Sequence, residues 1–175
     1  MNNNIIKEYK ILSESPSDHW PFLEVQGKRV LDCGCGRWDA KNKEEYTPVY
    51  FLEKGADYVV GVDISLEEIR YYQEQNIPNS IFIADSLNTS KKLVSLINDY
   101  KIQAIKMDIE GWEKIIFDTS SDDFSNISQI AIEYHMGVSK DNLLCKLVEL
   151  GFREFIIGYL WIDGMGVIFA KRCNN

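Results

Sequence analysis

The nine residues KRVLDCGCG, Lys28 to Gly36, set a short apolar strand directly against a loop with glycines two positions apart. Val30 and Leu31 read as the strand, and Asp32 closes it with an acid. The same arrangement recurs along the chain. Asp57 to Asp63 (DYVVGVD) is a second valine-rich strand ending in an acid, and Ser80 to Asp85 (SIFIAD) is a third. Ile102 to Asp108 makes a fourth and Ile127 to Tyr134 (ISQIAIEY) a fifth. Near-continuous apolar runs of this length suit strands covered on both faces, as in a parallel sheet.

Helices fill the gaps. Ser65-Leu66-Glu67-Glu68 has the form of a capping box, and its helix should stop near Asn76, ahead of Pro78. Leu93, Leu96, Ile97 and Tyr100 share one helical face, as do Leu143, Leu144, Leu147 and Val148, with Gly151 placed to end the second. Thr47-Pro48 reads as an N-cap followed by proline at the first helical position. Ile162-Asp163-Gly164 lies between two apolar runs and predicts a β-hairpin. The strand–helix alternation thus closes with an antiparallel pair, whose exposed edge would permit pairing. Residues 1–27 are expected to add a helix and a loop to a single domain spanning 1–175.

Composition narrows the function. The chain of 175 residues carries a net charge of −8 and no basic stripe, which counts against a sequence-neutral grip on nucleic acid. No apolar run approaches the length of a membrane span. The opening MNNNIIKEYK is too polar for a signal peptide, so the cytoplasm is the expected location. Cys33, Cys35, Cys145 and Cys173 lack metal-binding or disulfide spacing and read as free thiols.

The glycine loop raises the question of a dinucleotide site. Gly34 and Gly36 are present, but the third glycine position holds Asp39 and the next helix begins only near Pro48. A pyrophosphate would find neither helix dipole nor close packing, so NAD is disfavoured. A ligand without phosphates asks for less. Glycines let the backbone approach an adenosine or amino-acid moiety, and Asp32, Asp63 and Asp85 end the first three strands, where open α/β sheets bind ligands. Asp63 is placed for ribose hydroxyls, Asp85 for an exocyclic amine, and Asp32 near a charged amino-acid end. KMDIEGWE, Lys106 to Glu113, then crowds three carboxylates into six residues at the end of the fourth strand.

LDCGCG, VVGVDIS and IADS resemble the cofactor motifs of class I S-adenosylmethionine-dependent methyltransferases. KMDIEGWE and AIEYH resemble more specifically the FkbM-type branch, which carries a lysine-x-Asp-x-Glu-Gly-x-Glu segment. The resemblance runs from about Val30 to the final hairpin. It implies a Rossmann-like, doubly wound sheet of seven strands, mostly parallel with a reversed last strand. It also implies S-adenosyl-L-methionine at Asp32, Gly34, Gly36, Asp63, Ile64, Asp85 and Ser86. Two features depart from the family pattern: the segment RWDAKNKEEY delays the first helix, and Asp63-Ile64 stands where Glu-Pro is usual. The inserted segment is either a lid bearing Arg37 or Trp38 or plain solvated surface.

Methyl transfer to a hydroxyl needs alignment and a group to take a proton. Asp108, Glu110, Glu133 and His135 sit at the carboxyl edge of strands four and five. Asp108, Glu133 and His135 suit either a hard-cation site or a base with its orienting partner. The expected function is therefore O-methylation of a small molecule or sugar unit, with no resident metal assigned. A non-catalytic binding module on the same fold is the alternative, and an NAD-type oxidoreductase a more distant one.

Overall fold

Strands without charge along most of their length have no face to show to water. In the computed structural model, which describes residues 8–12, 22–36, 46–159 and 164–173, five such strands, side by side, hold four or more consecutive buried positions. They are β2 (Arg29–Cys33), β3 (Tyr58–Asp63), β5 (Ala104–Met107), β6 (Gln129–Tyr134) and β8 (Gly166–Lys171). With β1 (Glu8–Ile11), β4 (Ser80–Ala84) and β7 (Glu154–Tyr159) they form one sheet. Its order is β1-β7-β8-β6-β5-β2-β3-β4. All neighbours are parallel except β8, which runs antiparallel to both β6 and β7. The expected parallel sheet with an antiparallel C-terminal hairpin is what the chain adopts; Ile162 and Asp163 of the hairpin turn lie outside the described residues.

Two expectations near the N-terminus need correction. Among the described residues the sheet has eight strands rather than seven, and residues 8–11 are a strand rather than part of a helix. β1 adds to the free edge of β7 in parallel register from Glu8 opposite Glu154 to Ile11 opposite Ile157, and the Leu12 amide continues the ladder to the Ile157 carbonyl at 2.8 Å. The hairpin edge expected to be open to a partner is therefore covered by the chain itself. Backbone ladders need little from side chains, which is why EYKI gave no apolar signal.

Helices cover both faces. α1 (Thr47–Glu53) and α2 (Leu66–Glu74) lie on one side, where Phe51 packs on Val30, Val59, Ala104 and Ala131, and Ile69 and Tyr72 pack with Cys35 and Phe82. α3 (Ser90–Tyr100), α4 (Lys140–Glu149) and a 3-10 helix (Glu113–Asp118) lie with Leu31, Val60, Ile105 and Ile132 in the other cluster. The predicted caps hold at Ser65, whose hydroxyl accepts the Glu68 amide at 3.3 Å, and at Gly151, which takes φ +102° beyond α4. Thr47 is not a cap. Tyr46 precedes the helix, and the Thr47 hydroxyl donates instead to Asp32 Oδ2 at 2.5 Å. Among the described residues, no helix is long and apolar enough to cross a membrane.

The chain runs outward from β2 to β3 and β4, then returns to the far side of β2 with β5. That reversal opens a crevice beyond the carboxyl ends of β2 and β5, the usual ligand position in such sheets.

Candidate active site

Gly34 follows β2 at the floor of the crevice. Its φ is +76°, and a Cβ there would stand 1.7 Å from the Asp108 carbonyl oxygen. Only glycine lets the two loops approach so closely. The Asp108 amide reaches back to the Cys33 carbonyl at 3.0 Å, and Lys106 Nζ donates to the Gly34 carbonyl at 2.6 Å. The glycine loop and the DIEG loop are thus one sutured unit.

Lys106 is also the buried partner of Asp32, at 3.1 Å, in the register that sets these residues side by side on β5 and β2. Burial is the largest single effect and favours loss of the lysine proton, but the charges of Asp32 and Asp108 with the Asp32 hydrogen bond together outweigh it and hold the ammonium's pKa above its ordinary value. Asp32, placed by sequence at a ligand's amino-acid end, is 0% exposed and engaged by Lys106 and Thr47. It supports the loop from beneath.

Asp63 is partly exposed and does face the crevice rim. Its Oδ2 accepts the Gly36 amide and its Oδ1 the Ser65 amide, both at 2.8 Å. Each oxygen keeps further acceptor capacity. Ile64 beside it is 79% exposed, an apolar side chain facing solvent at a strand end. Asp85, tied to β3 by its amide to the Asp63 carbonyl at 3.0 Å, pairs with Lys92 at 2.6 Å, which also donates to the Ser86 carbonyl. Tyr72, stacked on Phe82, donates to the Cys35 carbonyl and steadies the loop from α2. Burial pushes the Cys33 and Cys35 thiols up, so neither is a nucleophile.

Across the crevice the DIEG loop turns sharply: Glu110 takes φ +53° and Gly111 φ +94°. Nothing lies within 4 Å of where a Gly111 Cβ would be, so the glycine serves the turn, not a close contact. Glu113 opens the 3-10 helix fully buried, and its Oε1 accepts the Ile109 amide at 3.1 Å and the Gly111 amide at 3.2 Å. The same oxygen lies 3.0 Å from His135 Nδ1. His135 Nε2 then faces Glu110 at 3.4 Å and both Asp108 and Glu133 at 3.7 Å. All four expected catalytic side chains meet at one point.

Their electrostatics follow from that crowding. The Glu113 hydrogen bond, against the opposing effect of burial, raises the His135 pKa to about 9. Burial and then the Asp108 charge push the Glu133 carboxyl up to about 7, and burial raises Asp108 although Lys106 opposes it. Sequence reasoning overlooked Glu113 as a positioning group, because its partner His135 is 22 residues away. The one available signal was its place as the third carboxylate of KMDIEGWE. Trp112 is 47% exposed with the Lys114 ammonium 4.7 Å from its ring centroid. His19, Trp20 and the segment with Arg37 and Trp38 lie outside the described residues.

This architecture is shared with solved methyltransferase structures. Sp1610 of Streptococcus pneumoniae, provisionally a tRNA (m1A22) methyltransferase, superposes with TM-score 0.57 at 15% identity, over 89% of this chain and 68% of that one. A ribosomal protein L11 methylase from Lactobacillus delbrueckii subsp. bulgaricus gives 0.52 at 16%, over 86% and 72%. SMU.1697c of Streptococcus mutans, provisionally a methyltransferase and solved with S-adenosylhomocysteine, gives 0.52 at 18%, over 85% and 90%. No protein-family model and no curated protein sequence matches the chain. At these identities the likeness defines the fold: a Rossmann-like α/β sheet of the class I methyltransferase kind.

Proposed function

We propose that this chain is an S-adenosylmethionine-dependent methyltransferase of the FkbM type, a single cytoplasmic domain that methylates a hydroxyl of a small molecule or sugar unit. The observation that carries the reading is the placement of two unlike groups on either side of one crevice. On one side stand Gly34, Gly36, Asp63 and the exposed Ile64; on the other, Asp108, Glu110, Glu133 and His135 converge within 3.4 to 3.7 Å of the His135 Nε2. Gly34 joins them, since its backbone touches Asp108.

The first group fits the cofactor. Asp63 offers spare acceptor capacity to ribose hydroxyls, Ile64 an apolar face to a purine, and Asp85 with Ser86 polar atoms at the next strand end. Asp32 contributes from below by fixing Lys106 and so the Gly34 carbonyl. S-adenosylmethionine, when bound, would supply an electrophilic methyl carbon and, as its sulfur–methyl bond breaks, the neutral thioether S-adenosylhomocysteine as leaving group. The second group holds the acceptor hydroxyl in line, and one of its carboxylates takes the proton as the oxygen–methyl bond forms. Three carboxylates at the mouth repel a phosphate backbone, which favours a small or glycan acceptor over nucleic acid.

Calorimetric titration of the chain with S-adenosylmethionine and S-adenosylhomocysteine tests this reading. Asp63→Ala should weaken binding at least tenfold. Asp108→Ala should leave binding within threefold and abolish most transfer. Equal loss of binding in both variants would contradict the division of the crevice into two sides.

A further inference from the structure

His135 is held by one ring nitrogen only. Nδ1 meets Glu113, whereas Nε2 makes no hydrogen bond: 3.4 Å to Glu110 and 3.7 Å to Asp108 and Glu133 exceed the usual N–H···O range of about 2.7–3.2 Å. The side chain is nine-tenths buried, at 9% exposure. Nε2 therefore faces three carboxylates at ion-pair distance, too far from each for a hydrogen bond.

We propose that a divalent cation occupies this gap, ligated by His135 Nε2, Asp108 Oδ1 and a Glu133 oxygen, with the exposed Glu110 closing over it. The three ligand atoms lie within 4.8 Å of one another. Around an ion with bonds of about 2.2 Å, neighbouring ligands stand roughly 3.1 Å apart and opposite ones roughly 4.4 Å. Separations of 3.7 Å fall between these values, so small side-chain rotations seat the ion.

The surroundings match a ligand set. Glu113 accepts the Nδ1–H and fixes the ring with Nε2 facing inward, where a cation would take the place of the Nε2 proton, the carboxylate–histidine arrangement that orients metal-bound imidazoles. Lys106 approaches the other oxygen of Asp108, Oδ2, at 3.9 Å, leaving Oδ1 on the gap side. Crowded carboxylates that repel one another in an empty site become mutually compatible around a 2+ charge. One imidazole with two or three carboxylates is too hard a set for a thiophilic metal, and its nitrogen favours Mn2+ over Mg2+. The site itself is independent of the methyltransferase reading. Its use rests on that reading: a hydroxyl bound to the cation beside Asp108 would lose its proton more readily.

The test is titration of the chelator-treated full chain with Mn2+, free Mn2+ being read by electron paramagnetic resonance. One Mn2+ per chain is expected, with affinity weakened at least tenfold by His135→Ala, Asp108→Asn and Glu133→Gln. The surface substitution Glu67→Gln should change nothing, and Glu113→Gln should weaken binding as a loss of orientation. Circular dichroism identifies any variant that fails to fold, and the isosteric Asp108→Asn and Glu133→Gln then decide. No Mn2+ bound at millimolar concentration, or binding unmoved by both isosteric changes, overturns the cation site. Parallel titration with S-adenosylhomocysteine separates the two ideas: Mn2+ bound without it counts against the methyltransferase reading alone, and the reverse against the cation alone.

Discussion

Gly34 and Gly111 look alike in sequence, each following an acid within two residues in a loop beyond a strand, yet they do different work. Gly34→Ala drives a methyl group into the Asp108 carbonyl, an obstacle of backbone that cannot rotate away. It should destabilise the protein by about 3 kcal/mol or more. Gly111→Ala meets open space and only the strain of a positive φ, so about 1–2 kcal/mol is expected. Urea unfolding of both variants checks the contrast, and similar losses would contradict the sutured loops. The thiols give a second residue-scale expectation. Exposed Cys145 should react quickly with a disulfide reagent at pH 8 and half-buried Cys173 more slowly, while Cys33 and Cys35 should react only on unfolding. The sequence pattern named the acids that meet at His135, because strand ends are local signals. It did not name Glu113 as their organiser or bury Asp32, because those facts depend on partners brought in by the sheet.

At the scale of elements, propensity and capping placed most boundaries. Apolar runs became β2 to β6, and Ser65 capped α2 as its spacing required. The exceptions share a cause: tertiary partners outbid local rules. The Thr47 hydroxyl leaves a capping role for Asp32, which would otherwise keep only its lysine. Thr47→Val preserves shape and β-branching but removes that hydrogen bond, and should lower stability by about 1–3 kcal/mol in chemical denaturation without shortening α1. β1 is the other exception. Its four residues are held by the ladder to β7, so deleting residues 1–12 bares the β7 edge. Concentration-dependent self-association by light scattering is expected for that deletion, and a strictly monodisperse product would show that β1 does not guard the edge.

The whole molecule joins these scales through one topological fact. Reversal of strand order between β2 and β5 opens a crevice where Gly34 and Asp108 touch, so a ligand seated on the glycine loop lies against the acid group. Fold class was legible from the order of strands and helices alone, since each connection has few right-handed solutions. The occupant of the crevice was legible only by resemblance, because the geometry of spare acceptors and exposed Ile64 admits an adenosine without spelling one out. The central claim is therefore about that occupant. Thermal unfolding of the chain with S-adenosylhomocysteine, and separately with NAD, at a hundred times the expected dissociation constant addresses it directly. The account predicts about 2.7 kcal/mol of added stability from S-adenosylhomocysteine, cut to about 1.4 kcal/mol or less in Asp63→Ala, and none from NAD. Stabilisation by NAD alone, or by neither, would contradict it.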